Sequence, residues 1–402
     1  MTMQNPIDVV VVGAGPAGLA AALALSQAGL SVRIADTSPE ASRQASSGRS
    51  AALLSRTVSL LKRLDVWDAL RQKAAPLRAL QFIDDTGRLL RAPDAVFRAS
   101  EIGEDAFGSN VLNVDLSESL ARALADRGIR IDTPGPVQET SPGADAITVT
   151  FADGTHVTAT MAVAADGKNS ALRRGAALKT LAWSYPQTAV ATSFDHELPH
   201  RDVCIEIHRR AGPFTLVPLP GNRSSLVWVE TEAEADRLAA LDDSAFCREV
   251  ERVSRFALGS VSPPAPRARF PLSSLVVRSY GCDRVAVVGE AAHVTPPIGA
   301  QGLNLGFRDV EDLAACLVEA RAAGEDIGAP SVLATYSSRR RSDVLTRTAG
   351  VDLLNRSLMQ DFLPLSLGRA ASLWALSASG RLRRQFMRWG IAPDAVQERA
   401  VR

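Results

Sequence analysis

Apolar and polar positions change period several times along the 402-residue chain, and each change predicts an element. Residues 8–12 are a short, unbroken β-branched run, which reads as a buried parallel strand. Residues 19–28 have helical texture and stop at Gly29, and residues 30–35 are again strand-like and close at Asp36. Together they make one β-α-β unit. A Ser/Gly-rich stretch, residues 37–50, reads as loop, and the residues after it, to about Leu70, as helix. Residues 79–91 read as a hairpin turning at Asp84-Asp85-Thr86-Gly87. Residues 113–127 place Leu116, Leu120 and Leu124 on one helical face. After a Pro/Gly-rich break, Ile147, Val149 and Phe151 alternate, the chain turns at Asp153-Gly154, and residues 157–163 return.

The texture then changes. Runs at 187–194, 203–208, 214–219 and 225–229 predict a second, mainly antiparallel sheet with one helix set in it at about 232–256. Residues 284–288 are a parallel-type strand leading into a second Gly-rich turn and helix. Residues 331–402 read as helical, with breaks at Pro364, Gly368, Gly380 and Gly390.

Composition alters this picture little. The hydrophobic fraction is 46% and the charged fraction 22%, ordinary for a globular chain long enough to bury a core without staples. A net charge of +1 carries no nucleic-acid signature. The charge is uneven, however: from Arg339 to Arg402 there are twelve Arg against five acids. That tail reads as a solvated helical face or as a surface for anions. Cys204, Cys247, Cys282 and Cys316 are scattered, without metal or disulfide spacing, so no metal site is expected and a reducing compartment fits. No positive charge precedes Arg33 and no apolar run reaches membrane-spanning length. The expected location is cytoplasmic, at most peripheral on the inner face of a membrane.

Three motifs carry chemistry. Gly13-Ala14-Gly15-Pro16-Ala17-Gly18 sits between strand and helix. Gly13 permits the tight turn, Gly15 lets backbone approach a diphosphate, and Gly18 lets helix pack on strand. Pro16-Ala17-Gly18 open a helix whose N-terminal N–H groups, from Ala17 on, suit phosphate, and Asp36 is placed for ribose hydroxyls. Asp166-Gly167-Lys168-Asn169-Ser170-Ala171-Leu172-Arg173 ends an apolar run and, alone, reads as a strand-to-helix turn. Gly289-Glu290-Ala291-Ala292-His293, Pro297, and Gln301-Gly302-Leu303-Asn304-Leu305-Gly306-Phe307-Arg308-Asp309 follow another strand. There the glycines admit a flat ligand, and the helix start offers N–H groups to negative charge. His293, alone at a turn, reads as structural. Core packing is the reading for Trp183, Tyr185, Phe214 and Trp228, with substrate lining as the alternative.

In this order the motifs resemble those of the class A flavoprotein monooxygenases, the p-hydroxybenzoate hydroxylase-like family, over roughly residues 6–350. Within it the chain is most similar to the ubiquinone-biosynthesis hydroxylases, through residues 297–310, Tyr185, Gln187, Gly212-Pro213-Phe214, Leu219-Pro220 and Val227-Trp228. The resemblance implies an α/β fold, with a Rossmann-like FAD-binding domain (1–78, 110–180 and 276–330) interleaved with a mainly antiparallel substrate domain (79–109 and 181–275), plus a C-terminal helical region (331–402). It implies FAD contacts from Gly13, Gly15, Pro16, Ala17, Gly18, Asp36, Arg49, Asn113, Asp166, Arg173, Gly289, Glu290, Pro297, Gln301, Gly302, Leu303 and Asn304, with Pro297 also shaping the pocket at the flavin's reacting face. It implies NADH or NADPH as a transient co-substrate without its own domain, O2, and an aromatic, polyprenylated substrate. Two positions depart from the family pattern: Glu290 replaces an Asp, and Ala300 replaces the Gly before Gln301. A prenyl tail further implies membrane access, for which residues 362–389 mix Leu, Phe and Trp with five Arg; a partner-docking helix pair in a biosynthetic complex is the alternative. A reductase or a non-catalytic flavoprotein on the same scaffold is the rival function.

Overall fold

The computed structural model describes residues 7–37, 48–87, 93–359, 374 and 378–388. Val9 to Val11 are fully buried because their strand, β1 (Ile7–Val12), lies inside a sheet covered on both faces. It pairs in parallel with β2 (Val32–Ala35) and with the far half of β11 (His156–Ala164). The order is β17 (Gly281–Cys282), β18 (Val285–Val287), β11, β1, β2, β8 (Ile131–Asp132), and β10 (Ile147–Phe151) and β9 (Val137–Pro142) extend the near half of β11. Helix α1 (Pro16–Gln27) is Ala- and Leu-rich all round, which suits its position wedged beside the sheet between α3 (Asn113–Asp126) and α7 (Gln301–Ala322).

The second sheet has eight strands in the order β19 (His293–Val294), β16 (Ala268–Val277), β12 (Thr180–Asp195), β15 (Arg223–Glu230), β14 (Pro213–Leu219), β13 (Val203–His208), β5 (Ala79–Asp84) and β6 (Ala95–Arg98). Every pairing in it is antiparallel except β13 with β5. The fold is therefore mixed α/β, with a parallel Rossmann-like sheet beside an antiparallel one. A small third sheet, β3 (Ser50–Leu54), β7 (Gly108–Leu112) and β4 (Ala75–Pro76), bridges them.

Several local expectations are corrected. Residues 50–54 are a strand; only α2 (Ser55–Arg63) and a short turn of helix near Leu70 follow. The β3–β7 pairing joins segments some 58 residues apart, from Ser50 to Gly108, which no local pattern shows. Strand β5 has its hairpin partner at β6, beyond residues 79–91. The helix expected at 232–256 is two, α5 (Glu232–Ala240) and α6 (Asp243–Val253), because the Asp242 side chain accepts the Ala245 N–H and starts a new helix. The C-terminal region agrees with expectation where it is described: helix α8 (Pro330–Met359) runs unbroken, and the break expected at Gly380 falls at Ser379, which caps α9 (Gly380–Phe386). Pro364, Gly368 and Gly390 lie outside the described residues. No helix among the described residues is long and apolar enough to cross a membrane.

Candidate active site

The three motifs meet backbone to backbone. Gly13 takes φ 108°, and a Cβ there would overlap the Ala165 carbonyl just ahead of Asp166. A Cβ on Gly18 would overlap the Gly13 carbonyl, and one on Gly289 would stand 2.9 Å from the Ala17 side chain. Gly306 faces Gly289, 3.1 Å from its Cα by the same construction. Gly15 differs: a Cβ there would meet nothing within 4 Å. Its freedom from protein neighbours leaves room at the N-terminus of α1, where the first helical N–H groups have no intrahelical acceptor.

Around this junction each candidate has a definite place. Asp36 Oδ2 accepts the Ala14 N–H at 2.9 Å, so the carboxylate at the end of β2 leans over the first turn. Arg49 and Asn113 stand side by side at the end of the β3–β7 ladder, where the Asn113 N–H donates to the Arg49 carbonyl. Asp166 caps α4 (Ala171–Gly175) by accepting the Ala171 N–H at 2.7 Å. Arg173, buried, donates to the Lys168 and Ala291 carbonyls, each at 2.8 Å, and so ties the middle motif to the late one. Burial lowers its pKa, and the nearby Asp166 charge opposes that shift.

The late motif is held from inside. Asp309 is fully buried; one oxygen accepts the Gly289 N–H at 2.9 Å and meets His293 Nε2 at 2.6 Å, and the other accepts Arg340 Nε at 2.7 Å. Arg340, from α8, also donates to Asp312 and Asp343. His293 is thus a strut, as its turn position suggested. Neither Asp309 nor Arg340 was among the expected site residues. Arg340 sits in the Arg-rich tail that charge alone assigned to a solvated face, yet it is 2% exposed. Arg339, Arg341 and Arg340 are neighbours in sequence, and only the helical phase against α7 decides which turns inward.

The two departures have physical settings. Ala300 caps α7 at φ 54°, ψ 32°, in the left-handed region where a Cβ is strained. That explains why glycine is the residue expected there. Glu290 is exposed in a one-turn helix beside Gly289. Gln301 contacts Gly299 and Arg347, and Gly302 has Thr295 as its neighbour. Asn304 uses all its side-chain polar capacity on protein: it accepts from the Leu54 N–H and Thr57 hydroxyl and donates to the Ala52 and Ala300 carbonyls. Pro297 is half-buried in the loop ahead of α7. Of the four aromatics, Phe214 and Trp228 pack in the core under α5 and α6. Trp183 Nε1 donates to the Tyr185 hydroxyl, which in turn donates to Asp352 of α8 at 2.6 Å. Burial and the Asp352 hydrogen bond push the Tyr185 hydroxyl pKa up.

These residues suit a long, anionic, partly flat ligand. Asn113 Oδ1, Asp166 Oδ1 and Thr295 Oγ1 are buried with no hydrogen-bond partner among the described residues, and buried polar groups in native proteins normally have one. They lie on three separate segments around the Gly13–Gly289 junction. Two helix N-termini, those of α1 and α7, flank it.

Comparison with known proteins gives the same outline. A family model described as FAD binding domain matches residues 6–348. The chain is 35% identical to the ubiquinone hydroxylase UbiL of Rhodospirillum rubrum over 384 residues, 95% of this chain and 88% of that one. It is 32% identical to the 3-demethoxyubiquinol 3-hydroxylase of Escherichia coli over 396 residues, 97% and 100% of the two chains. Among solved structures it is similar to the p-nitrophenol 4-monooxygenase of Pseudomonas putida, with TM-score 0.75 and 21% identity over 97% and 99% of the chains, a likeness of fold.

Proposed function

We propose, from the premise that this chain belongs to the FAD-binding class A flavoprotein monooxygenases, that it hydroxylates the ring of a polyprenylated phenol in ubiquinone biosynthesis. The observation that carries the finer reading is the near full-length identity of 32–35% to two hydroxylases that act on that class of compound by name. FAD, when bound and reduced by NADH or NADPH, supplies activation of O2 and delivery of one oxygen atom.

The chain's own residues bind, orient and exclude water. Gly15, Pro16, Ala17 and Gly18 present the N-terminus of α1 to the diphosphate, and Asp36 receives ribose hydroxyls. Arg49, Asn113, Asp166 and Arg173 line the run of the cofactor between the first and late turns. Gly289, Glu290, Gln301, Gly302 and Leu303 form the other wall, where the positive end of the α7 dipole stabilises negative charge on the flavin ring. Asn304 positions that wall by tying α7 to β3 and α2. Pro297, half-buried in the loop ahead of α7, would shape the pocket at the ring and help to keep water from it.

Access to a prenyl tail places the enzyme at a membrane surface in this reading, peripheral on its cytoplasmic side. Most of residues 362–389 lies outside the described residues. Of those described, Trp374 is 65% exposed, while Arg383 pairs with Glu101 at 2.7 Å and Met387 is buried against Phe97 and Phe107. Vesicles containing anionic lipid retain the protein on sedimentation if the tail serves as an anchor; absence of binding at every anionic content contradicts it. The function itself is tested by deleting the gene in a strain without another hydroxylase of this family. Mass spectrometry of the quinone pool then shows one under-hydroxylated prenyl phenol accumulating, and an unchanged pool contradicts the assignment.

A further inference from the structure

One buried glutamate–histidine pair in the antiparallel sheet has no part in the cradle. Strand β13 sends Ile205 and Ile207 into the apolar layer with Phe214, Leu216 and Trp228 under α5 and α6. The two-residue period therefore puts Cys204, Glu206 and His208 on the opposite face. There His208 Nε2 lies 2.7 Å from Glu206 Oε1, with the two side chains 5% and 11% exposed. Enclosing a carboxylate and an imidazole costs desolvation that packing alone does not require, since apolar residues of similar volume fill such a site at no loss.

The pair is also close to the cofactor cradle. Cys204 packs with Ala52, Leu77 and Val217, and the Ala52 carbonyl accepts the Asn304 amide at the head of α7. Glu206 is two residues further along β13, roughly 7 Å at strand spacing. Its neighbours on this face are Thr215 in register on β14 and Phe82 in register on β5, whose ring centroid is 5.7 Å from that of His208. Among the described residues, the ionisable groups beside the pair on this face are Asp84, in register with His208 and accepting the Thr86 N–H and hydroxyl, and the Cys204 thiol, which burial pushes toward its protonated form; Asp195 and Arg223 share the face at the far end of β12 and β15. One aromatic side chain, Phe82, edge-on to Phe97, stands beside the enclosed pair, and the combination suits a planar ring carrying a hydroxyl.

We infer that Glu206 and His208 are the polar anchor for the ring hydroxyl of the substrate, with Glu206 accepting its hydrogen bond and then its proton. This rests on the hydroxylase reading above. As a ring carbon bonds to the incoming electrophilic oxygen, the hydroxyl oxygen gives a lone pair to a C=O bond and, as a protonated ketone, becomes a strong acid. The O–H bond breaks and the proton moves to Glu206, then through His208 to water. The ring hydrogen next leaves as a proton and the ketone oxygen takes one up, which restores the aromatic ring with one more hydroxyl. The oxide left on the oxygen donor takes a proton from water, so charge balances.

The test uses flavin-loaded enzyme and two probes, a short-chain 2-prenylphenol and its methyl ether, which has no hydroxyl proton to give. Wild type turns over the phenol much faster than the ether. Glu206→Gln keeps the shape and a hydrogen bond to His208, and it is expected to lower kcat for the phenol roughly a hundredfold, to the level of the ether, while leaving the ether rate and the flavin spectrum unchanged. Equal loss on both probes, or no loss on either, overturns the inference. His208→Gln serves where Glu206→Gln does not accumulate, with the same selective loss expected. If wild type hydroxylates neither probe, the hydroxylase reading falls and this inference with it; if wild type is active and the variants do not discriminate, this inference alone falls.

Discussion

The two glycine-rich turns of the cradle are built differently. The first, Gly13 to Gly18, is made of backbone contacts: Gly13 and Gly18 have no room for a methyl group, and Gly15 faces open space. The late turn, Gly289 to Gly306, tolerates a strained alanine at position 300 and an exposed glutamate at 290, and is fixed by a buried carboxylate that grips the Gly289 N–H. The first turn is therefore specified by backbone packed on backbone, Gly18 against Gly13 and Gly13 against Ala165 at the end of β11. The late one depends on Arg340, some thirty residues on, so it is specified by the packing of α8 on α7.

This contrast is broken most forcefully at Arg340. Arg340→Leu leaves Asp309 buried without its cation, and is expected to cost roughly 3–5 kcal/mol and to lower flavin occupancy, measured by denaturant melts and the bound-flavin spectrum. A variant that melts like wild type shows that the late turn stands without its strut. The same cluster sets an acid limit. Burial pushes the Asp343 carboxyl up, but the Arg347 hydrogen bond and the Arg340 and Arg308 charges outweigh it, and the net pKa is lowered. Its stabilising contribution is therefore complete above the unfolded value of about 4 and is lost as pH falls through the lower folded value. Melting against pH is expected to fall more steeply below about pH 4 in wild type than in Arg340→Leu.

Within the first turn, Gly18→Ala is expected to lose about 3 kcal/mol together with FAD. Gly15→Ala should melt within about 0.5 kcal/mol of wild type without cofactor yet bind FAD at least tenfold more weakly in a fluorescence titration. Equal stability losses for the two would mean that Gly15 serves packing and not a ligand. The smallest effect is expected at Ala300→Gly. Relief of left-handed strain, set against glycine's greater freedom in the unfolded chain, leaves a gain of about 0.5–1 kcal/mol. A loss there would show that the methyl group has a packing role.

What the chain's pattern made legible follows the same division. The β-α-β unit, the first turn and Asp36 are local features, each required by backbone geometry within a few residues, and they could be placed from residue type alone. The short β3 strand could not, because Ser50 to Leu54 has no alternation and exists only through its pairing with Gly108 to Leu112. Asp309 was visible as part of a motif, but its task was not, since its partners come from three other segments. Arg340 was hidden by its two arginine neighbours. Asn304 was visible as part of the late motif, but the commitment of its side chain to protein partners on β3, on α2 and at the Ala300 cap of α7 was not. Glu206 and His208 showed no signal in sequence, because two polar residues in a strand pattern read as the solvated face of an edge.

The most direct test of the whole account is the source of the oxygen. Purified, flavin-loaded enzyme is given NADH or NADPH, a short-chain prenyl phenol and isotopically heavy dioxygen, and the product is weighed by mass spectrometry. The account predicts a hydroxylated phenol that carries one heavy oxygen atom per nicotinamide oxidised. Product oxygen drawn from water, or nicotinamide oxidation that yields only hydrogen peroxide while the phenol is recovered unchanged, would contradict it.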